Sequence, residues 1–286
     1  MLSIQHVLSA RLQNANFDNS TYMAALIFPD AIRKYSGARQ YSHFEKGSDG
    51  VDDSSYWEMP TDMKGVSAES IKNNLKVFAH MSESVRPAAI GEDTDIEAFY
   101  AHNTHLPEDM HHGVEDHLKQ DIGFDAFIRK HIDCSGKYDD TYYFDGKKMD
   151  GKEVRSLIGQ IEQHGMYVLA HEIYERYGEV TNQAWFESNV KPILDKEYPQ
   201  DLSETTFSYM KIDPKVNELI TNKDWSKLDD GPLPQEAYME LYKDVISSMN
   251  KGLSAKEVHR VPQEFQDLAD QAAASSVDVG MDFETK

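Results

Sequence analysis

Histidine and acidic side chains at helical spacing are the residues of this sequence best suited to chemistry. Five of the 12 histidines lie between positions 102 and 117. On a helix, side chains four residues apart lie on one face with their β-carbons about 5–6 Å apart, close enough to bind one cation. His117 and Asp121 have this spacing, and the apolar stripe through Phe124 and Ile128 turns them toward the core. The pair predicts one wall of a metal site, although an isolated pair of this kind is more often a surface hydrogen bond.

Three more candidate ligands lie in the first 45 residues. His6 lies close to the apolar face of a helix predicted over residues 3–14, Asp30 directly follows a proline, and His43 comes thirteen residues after Asp30. Buried imidazoles and carboxylates are unfavourable unless they are paired or bound to a metal. Several such residues at core-facing positions therefore favour a shared site.

A long helix is predicted over residues 151–178, where apolar residues recur at helical spacing and Gly178 is a natural end. It carries His164 and His171, which are seven residues apart and nearly eclipsed, and Glu175 follows His171 by four residues. Nitrogen and oxygen ligands without sulfur suit zinc, manganese or iron. Three ligand-bearing helices and a loop could surround one to three such ions.

The charge and the cysteine content exclude several classes of protein. The 286 residues carry a formal net charge of −21, which disfavours a surface for double-stranded nucleic acid or for anionic membranes. Cys134 is the only cysteine, so an internal disulfide and a thiolate-rich zinc site are both excluded. The longest apolar run is too short to span a bilayer, and no signal peptide is recognisable. We expect a cytoplasmic protein.

Helical periodicity dominates the chain and predicts an all-α fold. We expect residues 1–180 to form a metal-binding helical core and residues 181–270 a helical C-terminal extension packed on that core. Residues 271–286 are predicted to be an acidic, flexible tail. The core and its extension are expected to form a single domain.

Two local features are predicted within the core. The apolar segment 20–28 is expected to form a short helix or turn that ends at Pro29. The dipeptide Asp145-Gly146 is expected to form the turn of a small hairpin. Both features would separate longer helical segments.

The order of the candidate ligands resembles that of the zinc-dependent phospholipase C superfamily, which includes bacterial phospholipases C, single-strand-specific zinc nucleases and uncharacterised bacterial hydrolases. The resemblance covers roughly residues 1–178 and is strongest over residues 3–44. It is carried by His6 in QHVLSAR, Asp30 in FPDA, His43 in SHFE, His117 and Asp121 in DHLKQDIGFD, and then His164 and His171.

This resemblance implies a helical metal-dependent hydrolase that binds one to three divalent ions, with zinc expected first and manganese or iron as alternatives. The implied metal ligands are His6, Asp30, His43, His117, Asp121, His164 and His171. The sequence also departs from the family. Secreted members begin their mature chain with a tryptophan whose amino group is a ligand, whereas this chain begins with Met1. The last ligand is either His164, or His171 together with Glu175.

Phosphoester hydrolysis, above all of a phosphodiester, is the reaction that the resemblance implies. Divalent ions lower the pKa of a bound water toward neutrality and polarise a phosphoryl oxygen. Asp116 and Glu175 are the candidate general bases. The nearest cations for a phosphate are Arg33, Lys34 and Arg39, which are equally interpretable as ordinary surface charges. We expect a small soluble substrate, and the sequence leaves the oligomeric state open.

Two alternatives remain open at this point. The chain could be a non-catalytic acidic interaction protein, such as a phage-type inhibitor or a DNA mimic, because its negative charge would suit a basic partner. It could also be a helical scaffold that binds a metal only for stability, since a closed ligand set leaves no open position for water. The arrangement of the carboxylates distinguishes an interaction protein from an enzyme. A DNA mimic spreads its carboxylates over an outer face, whereas an enzyme gathers some of them around histidines.

Overall fold

The computed structural model of the protein describes residues 1–13, 18–36, 42–44, 59–66, 94, 96–134 and 141–250, without the side chains of 34–36, 244 and 246–250. Helices make up most of the described part, which confirms the predicted all-α class in its coarse form. The α-helices are α1 (Ser3–Gln13), α2 (Ser20–Ser36), α3 (Ile96–His102), α4 (Glu108–His131), α5 (Gly151–Tyr177), α6 (Gln183–Asn189), α7 (Lys191–Glu197), α8 (Gln200–Tyr209), α9 (Pro214–Asn222) and α10 (Gln235–Asn250).

The centre of the fold is the pair formed by α2 and α4, which pack closely against each other. Gly113 of α4 permits this approach, because a β-carbon at its position would lie 2.5 Å from the carbonyl oxygen of Tyr22 and 2.7 Å from the β-carbon of Ala25. Both distances are shorter than van der Waals contact. A side chain at position 113 would therefore push the two helices apart.

The helix α2 continues through Pro29 to Ser36, so the prediction that it ends at the proline is wrong. Proline donates no hydrogen bond and crowds the carbonyl four residues earlier, but side chains from elsewhere bind carbonyls of that turn. The Tyr198 hydroxyl donates to the carbonyl of Ala24 (2.5 Å), and the His117 ring donates from Nδ1 to the carbonyl of Leu26 (2.8 Å). These tertiary contacts support a helix that local sequence disfavours.

The long helix α5 has the ends that its sequence predicts. Asp150 caps the N-terminus by accepting from the backbone amides of Lys152 and Glu153, and the Glu153 side chain bonds back to the Asp150 amide. Gly178 follows the C-terminus in the left-handed conformation, with φ of 70°. The helix packs along α1 and holds it against the core.

A three-stranded antiparallel sheet separates α4 from α5. Its strands are β1 (Ile132–Cys134), β2 (Tyr142–Phe144) and β3 (Lys147–Met149), in the order β1-β2-β3, with Ile132 opposite Phe144 and Tyr142 opposite Met149. Asp145 and Gly146 both have positive φ values, 49° and 72°, as a two-residue hairpin turn requires. The predicted hairpin is thus confirmed.

The helices after residue 180 pack back onto the core. The helix α7 lies against α2, and α10 lies against α4 at Gly123, where a β-carbon would be 2.9 Å from Cγ2 of Val245. The predicted extension over 181–270 is described only as far as residue 250, and the predicted tail over 271–286 lies outside the described residues. None of the described helices is long and apolar enough to cross a membrane.

Candidate metal centre

Five of the predicted ligands converge at one buried point. His6 comes from α1, Asp30 from α2, His43 from the short segment 42–44, and His117 and Asp121 from one face of α4. The three histidines are 0% exposed, Asp121 is 1% exposed and Asp30 is 6% exposed. We call these five residues the His–Asp cluster.

Asp121 lies at the middle of the His–Asp cluster and faces a different set of groups with each oxygen. Its Oδ1 is 3.3 Å from Nε2 of His6 and 2.7 Å from the amino group of Met1. Its Oδ2 is 3.5 Å from Nε2 of His43 and 3.6 Å from Nε2 of His117. One carboxylate therefore links the two sides of the cluster.

Asp30 supplies the second carboxylate. Its Oδ1 is 3.3 Å from Nε2 of His43, and its Oδ2 accepts a hydrogen bond of 2.6 Å from the Ser3 hydroxyl. Two groups of three residues each bring their ligand atoms within 4.8 Å of one another: His6, His117 and Asp121, and Asp30, His43 and His117. Buried His and Asp side chains in this arrangement could hold a metal ion.

Each histidine of the cluster is oriented by a hydrogen bond at its other ring nitrogen. Nδ1 of His6 lies 2.8 Å from Oε1 of Gln120, and Nδ1 of His117 donates to the carbonyl of Leu26. Nδ1 of His43 is 2.6 Å from the hydroxyl of Ser42. Because all three bonds use Nδ1, all three Nε2 atoms face Asp121. Outer-shell bonds of this kind commonly fix metal-binding histidines.

Burial and neighbouring groups shift the pKa values of two members of the cluster, His6 and Asp30. Burial, followed by the neighbouring His117, lowers the pKa of His6 to about 4, against the opposing hydrogen bond and charge of Asp121. The rings of His6 and His117 stack with centroids 3.8 Å apart. Burial acts to raise the pKa of Asp30, but the hydrogen bond with His43 and the nearby imidazoles hold it well below its usual range. At neutral pH His6 is therefore a neutral imidazole and Asp30 an ionised carboxylate, the states in which these side chains bind a divalent cation.

The structure does not bring His164 or His171 into the cluster. Nε2 of His164 donates to the carbonyl of Leu228 (2.7 Å), and its ring lies directly against Gly231. His171 packs on Trp225 and lies 3.4 Å from Glu172 and 3.8 Å from Glu175. Among the described residues, neither histidine joins two other ligands within metal-binding distance. Helical spacing alone could not show that the segment around Trp225 covers this face of α5.

The two candidate general bases have different surroundings. Asp116 is partly buried and accepts a hydrogen bond of 2.7 Å from Tyr22. Burial, with a contribution from Glu115, raises its pKa to about 7. The side chain of Glu175 is 61% exposed. Neither residue belongs to a ligand group of the described residues, although Asp116 directly precedes His117 on α4.

The candidate phosphate-binding residues are only partly described. Arg33 is on α2, one turn after Asp30, and is partly exposed. The side chain of Lys34 and the whole of Arg39 lie outside the described residues. Arg33 is therefore the one predicted cation whose side chain the structure describes.

The residues that support the ligands were not predicted from the sequence. Ser3 precedes His6 by three residues, Gln120 follows His117 by three, and Ser42 adjoins His43. For Ser3 and Gln120 the signal that could have found them is a polar residue one turn from a predicted buried ligand, because such a position shares its helix face. The Met1 amino group beside Asp121 also went unpredicted.

Comparison of the chain with models of known protein families, with characterised proteins and with solved structures gives no match. The family assignment therefore remains an inference from the residues themselves.

Proposed function

We propose that this protein is a metal-dependent phosphoester hydrolase of the zinc phospholipase C type, with a two-ion centre built on the His–Asp cluster. The observation that carries the proposal is the convergence of three imidazole Nε2 atoms on one buried carboxylate while their Nδ1 atoms are bonded outward. The resemblance in residue order supports the reaction class.

The hydrogen bond of His117 favours a cation in the centre. A backbone carbonyl can only accept a hydrogen bond, so the Leu26 carbonyl places a proton on Nδ1 of His117. In a neutral imidazole, Nε2 then carries a lone pair, and it points at an Asp121 oxygen 3.6 Å away. A lone pair facing a carboxylate is unfavourable unless a proton or a metal ion lies between them, and 3.6 Å is too long for the hydrogen bond that a proton would make. Nε2 of His117 makes no hydrogen bond within the described part of the chain.

Asp121 would be shared between the two ions. One ion would be held by His6, His117 and Asp121, and the other by Asp30, His43 and the second oxygen of Asp121. The nitrogen and oxygen donors fit zinc, with manganese or iron as alternatives. Bound divalent ions would supply an activated water and polarise a phosphoryl oxygen.

Two further roles would belong to Asp116, which precedes His117 in the sequence, and to Arg33, which follows Asp30 by three residues. Asp116 is the better of the two candidate bases, because a group with a pKa of about 7 can accept and release a proton at neutral pH. Arg33, one turn after Asp30 on α2, would neutralise the phosphate. We expect a small phosphodiester as the substrate.

The test is metal content together with turnover. Protein purified without a polyhistidine tag is expected to contain close to stoichiometric zinc, manganese or iron by elemental mass spectrometry, and to hydrolyse bis(p-nitrophenyl) phosphate. His117→Ala/Asp121→Ala is expected to lose both the metal and the activity. The matched control is His112→Ala, on the same helix but outside the cluster, which should keep both. Absence of metal from the wild type would overturn the proposal.

A structural ion is the second candidate function, because the ligands are almost fully buried. A closed ligand set stabilises the fold and leaves no position for a substrate. Stoichiometric metal without hydrolysis of phosphodiesters or phosphomonoesters would favour this alternative. Hydrolysis that depends on added metal in the chelator-treated protein would exclude it.

A further inference from the structure

We infer that Gln120 is a positioning residue for one of the two ions, the one on the His6 side of Asp121. The inference rests on the proposed function, because it requires that the His–Asp cluster binds metal. In this inference, Gln120 supports the binding of one ion and Ser42 supports the binding of the other.

The side chain of Gln120 connects α4 to α1 through a contact with His6. It is 0% exposed, and its Oε1 lies 2.8 Å from Nδ1 of His6, a residue 114 positions away in the chain. An amide oxygen only accepts, so this contact keeps the proton of His6 on Nδ1 and the lone pair on Nε2. Nε2 then points to Oδ1 of Asp121, 3.3 Å away.

The other end of Gln120 argues against a purely structural role. Its Nε2 is buried and makes no hydrogen bond with any residue that the structure describes. A buried amide with unpaired donors destabilises a fold relative to an apolar side chain of similar size. The unpaired Nε2 offsets the hydrogen bond that Oε1 makes with His6, so Gln120 should add little stability to the metal-free protein while favouring metal binding through His6.

The three outer-shell contacts divide the centre into two halves. The acceptor for His117 is a backbone carbonyl, which no side-chain substitution removes. The partner of His43 is its neighbour Ser42, on the side of Asp121 Oδ2 and Asp30. Gln120 serves His6 on the side of Oδ1. Loss of Gln120 should thus weaken the binding of one ion, and loss of Ser42 should weaken the binding of the other.

The experiment measures zinc binding to the full chain after metal removal, by calorimetry with a competing chelator. In Gln120→Leu, one ion is expected to bind 10- to 100-fold more weakly and the other to keep its wild-type affinity. The melting temperature of the metal-free variant should stay close to that of the wild type, because the lost bond to His6 and the removed unpaired amide group have opposite effects. Gln120→Glu, which retains an acceptor oxygen, should restore the binding, and Ser42→Ala should weaken the ion that Gln120→Leu spares.

A double-mutant cycle decides whether Gln120 acts through His6. In a His6→Ala background, Gln120→Leu should cause no further loss of affinity. An equal loss with and without His6, or wild-type affinity for both ions in Gln120→Leu, would overturn the inference and leave the metal centre standing. A wild-type chain that binds no zinc would overturn the proposed function, and the inference with it.

Discussion

At the scale of single residues, hydrogen bonds from neighbouring groups determine how the ligands of the cluster are oriented. Three imidazoles present the same nitrogen to one carboxylate because three different groups hold the opposite nitrogen. Asp30 is oriented in the same way, since the Ser3 hydroxyl binds one oxygen and leaves the other facing His43. Rigid support of this kind determines how well a site can hold an ion.

Ser3→Ala should therefore lower both stability and metal affinity. The lost bond is to an ionised carboxylate, which is worth about 1.5–3 kcal/mol of unfolding free energy when removed, and we expect the lower end because Ser3 is partly exposed. Zinc should bind several-fold more weakly. Chemical denaturation of the metal-free protein and zinc titration check the two effects.

Ser9→Ala on the same helix is the matched control. The Ser9 hydroxyl is buried and forms no hydrogen bond to any described residue, so its removal should be neutral or stabilising and leave zinc affinity unchanged. Equal losses of affinity in the two variants would contradict the role given to Ser3.

At the scale of elements, the close packing of α2 and α4 sets the position of the cluster. Gly113 is one turn before His117 on the face of α4 that touches α2. The same contact lets the His117 ring reach the Leu26 carbonyl. Any substitution that separates the two helices should therefore disturb the centre as well as the core.

Gly113→Ala is expected to destabilise the protein by about 3 kcal/mol, because the new methyl group meets backbone atoms that cannot rotate away. It should also weaken zinc binding. The comparison is Gly159→Ala on α5, where a β-carbon meets no atom within 4 Å. That change should stabilise the helix by about 0.5–1 kcal/mol. Denaturant titration of both variants measures the difference, and a neutral Gly113→Ala would contradict the packing argument.

Much of this architecture follows from local patterns, and the exceptions have tertiary causes. Apolar spacing and capping residues predict α5 and its ends, and Asp145-Gly146 predicts the hairpin. Helix α2 passes Pro29 because residues distant in sequence bind its carbonyls. No local pattern contains those partners.

The candidate site shows the same division. The spacing on α4 correctly predicts that the side chains of His117 and Asp121 face the core, because the direction of both is set by one helix. Spacing on α5 could not say which neighbour each histidine faces. His164 and His171 therefore have helical phase like that of ligands but pack against the segment around Trp225 and Gly231.

At the scale of the whole molecule, the cluster joins parts of the chain that are far apart in sequence. Its contacts connect α1, α2 and the segment 42–44 to α4, and α5 and α10 pack around them. A ligand that binds only the folded state stabilises it in proportion to its affinity and concentration. Metal binding should therefore be visible as a change in global stability.

We expect zinc at a hundred times its dissociation constant to add about 2.7 kcal/mol of stability, which corresponds to a rise in melting temperature of roughly 5–10 °C for a chain of this size. Differential scanning calorimetry with zinc and with excess chelator measures the shift. His117→Ala/Asp121→Ala should show none. A shift of the same size in that variant would place the stabilising ion elsewhere.

The alignment of Gly113, His117 and Asp121 at intervals of four residues along α4 has a consequence for how this region tolerates length changes. Each residue of an α-helix turns the chain by about 100°. A single residue inserted or deleted between 113 and 121 would rotate Gly113 and the two ligands away from their common face, even with the amino-acid composition almost unchanged. The same event after Ile128, close to the start of β1, would leave all three directions intact. Functional relatives of this chain should therefore vary in length around the helix but keep that eight-residue interval fixed.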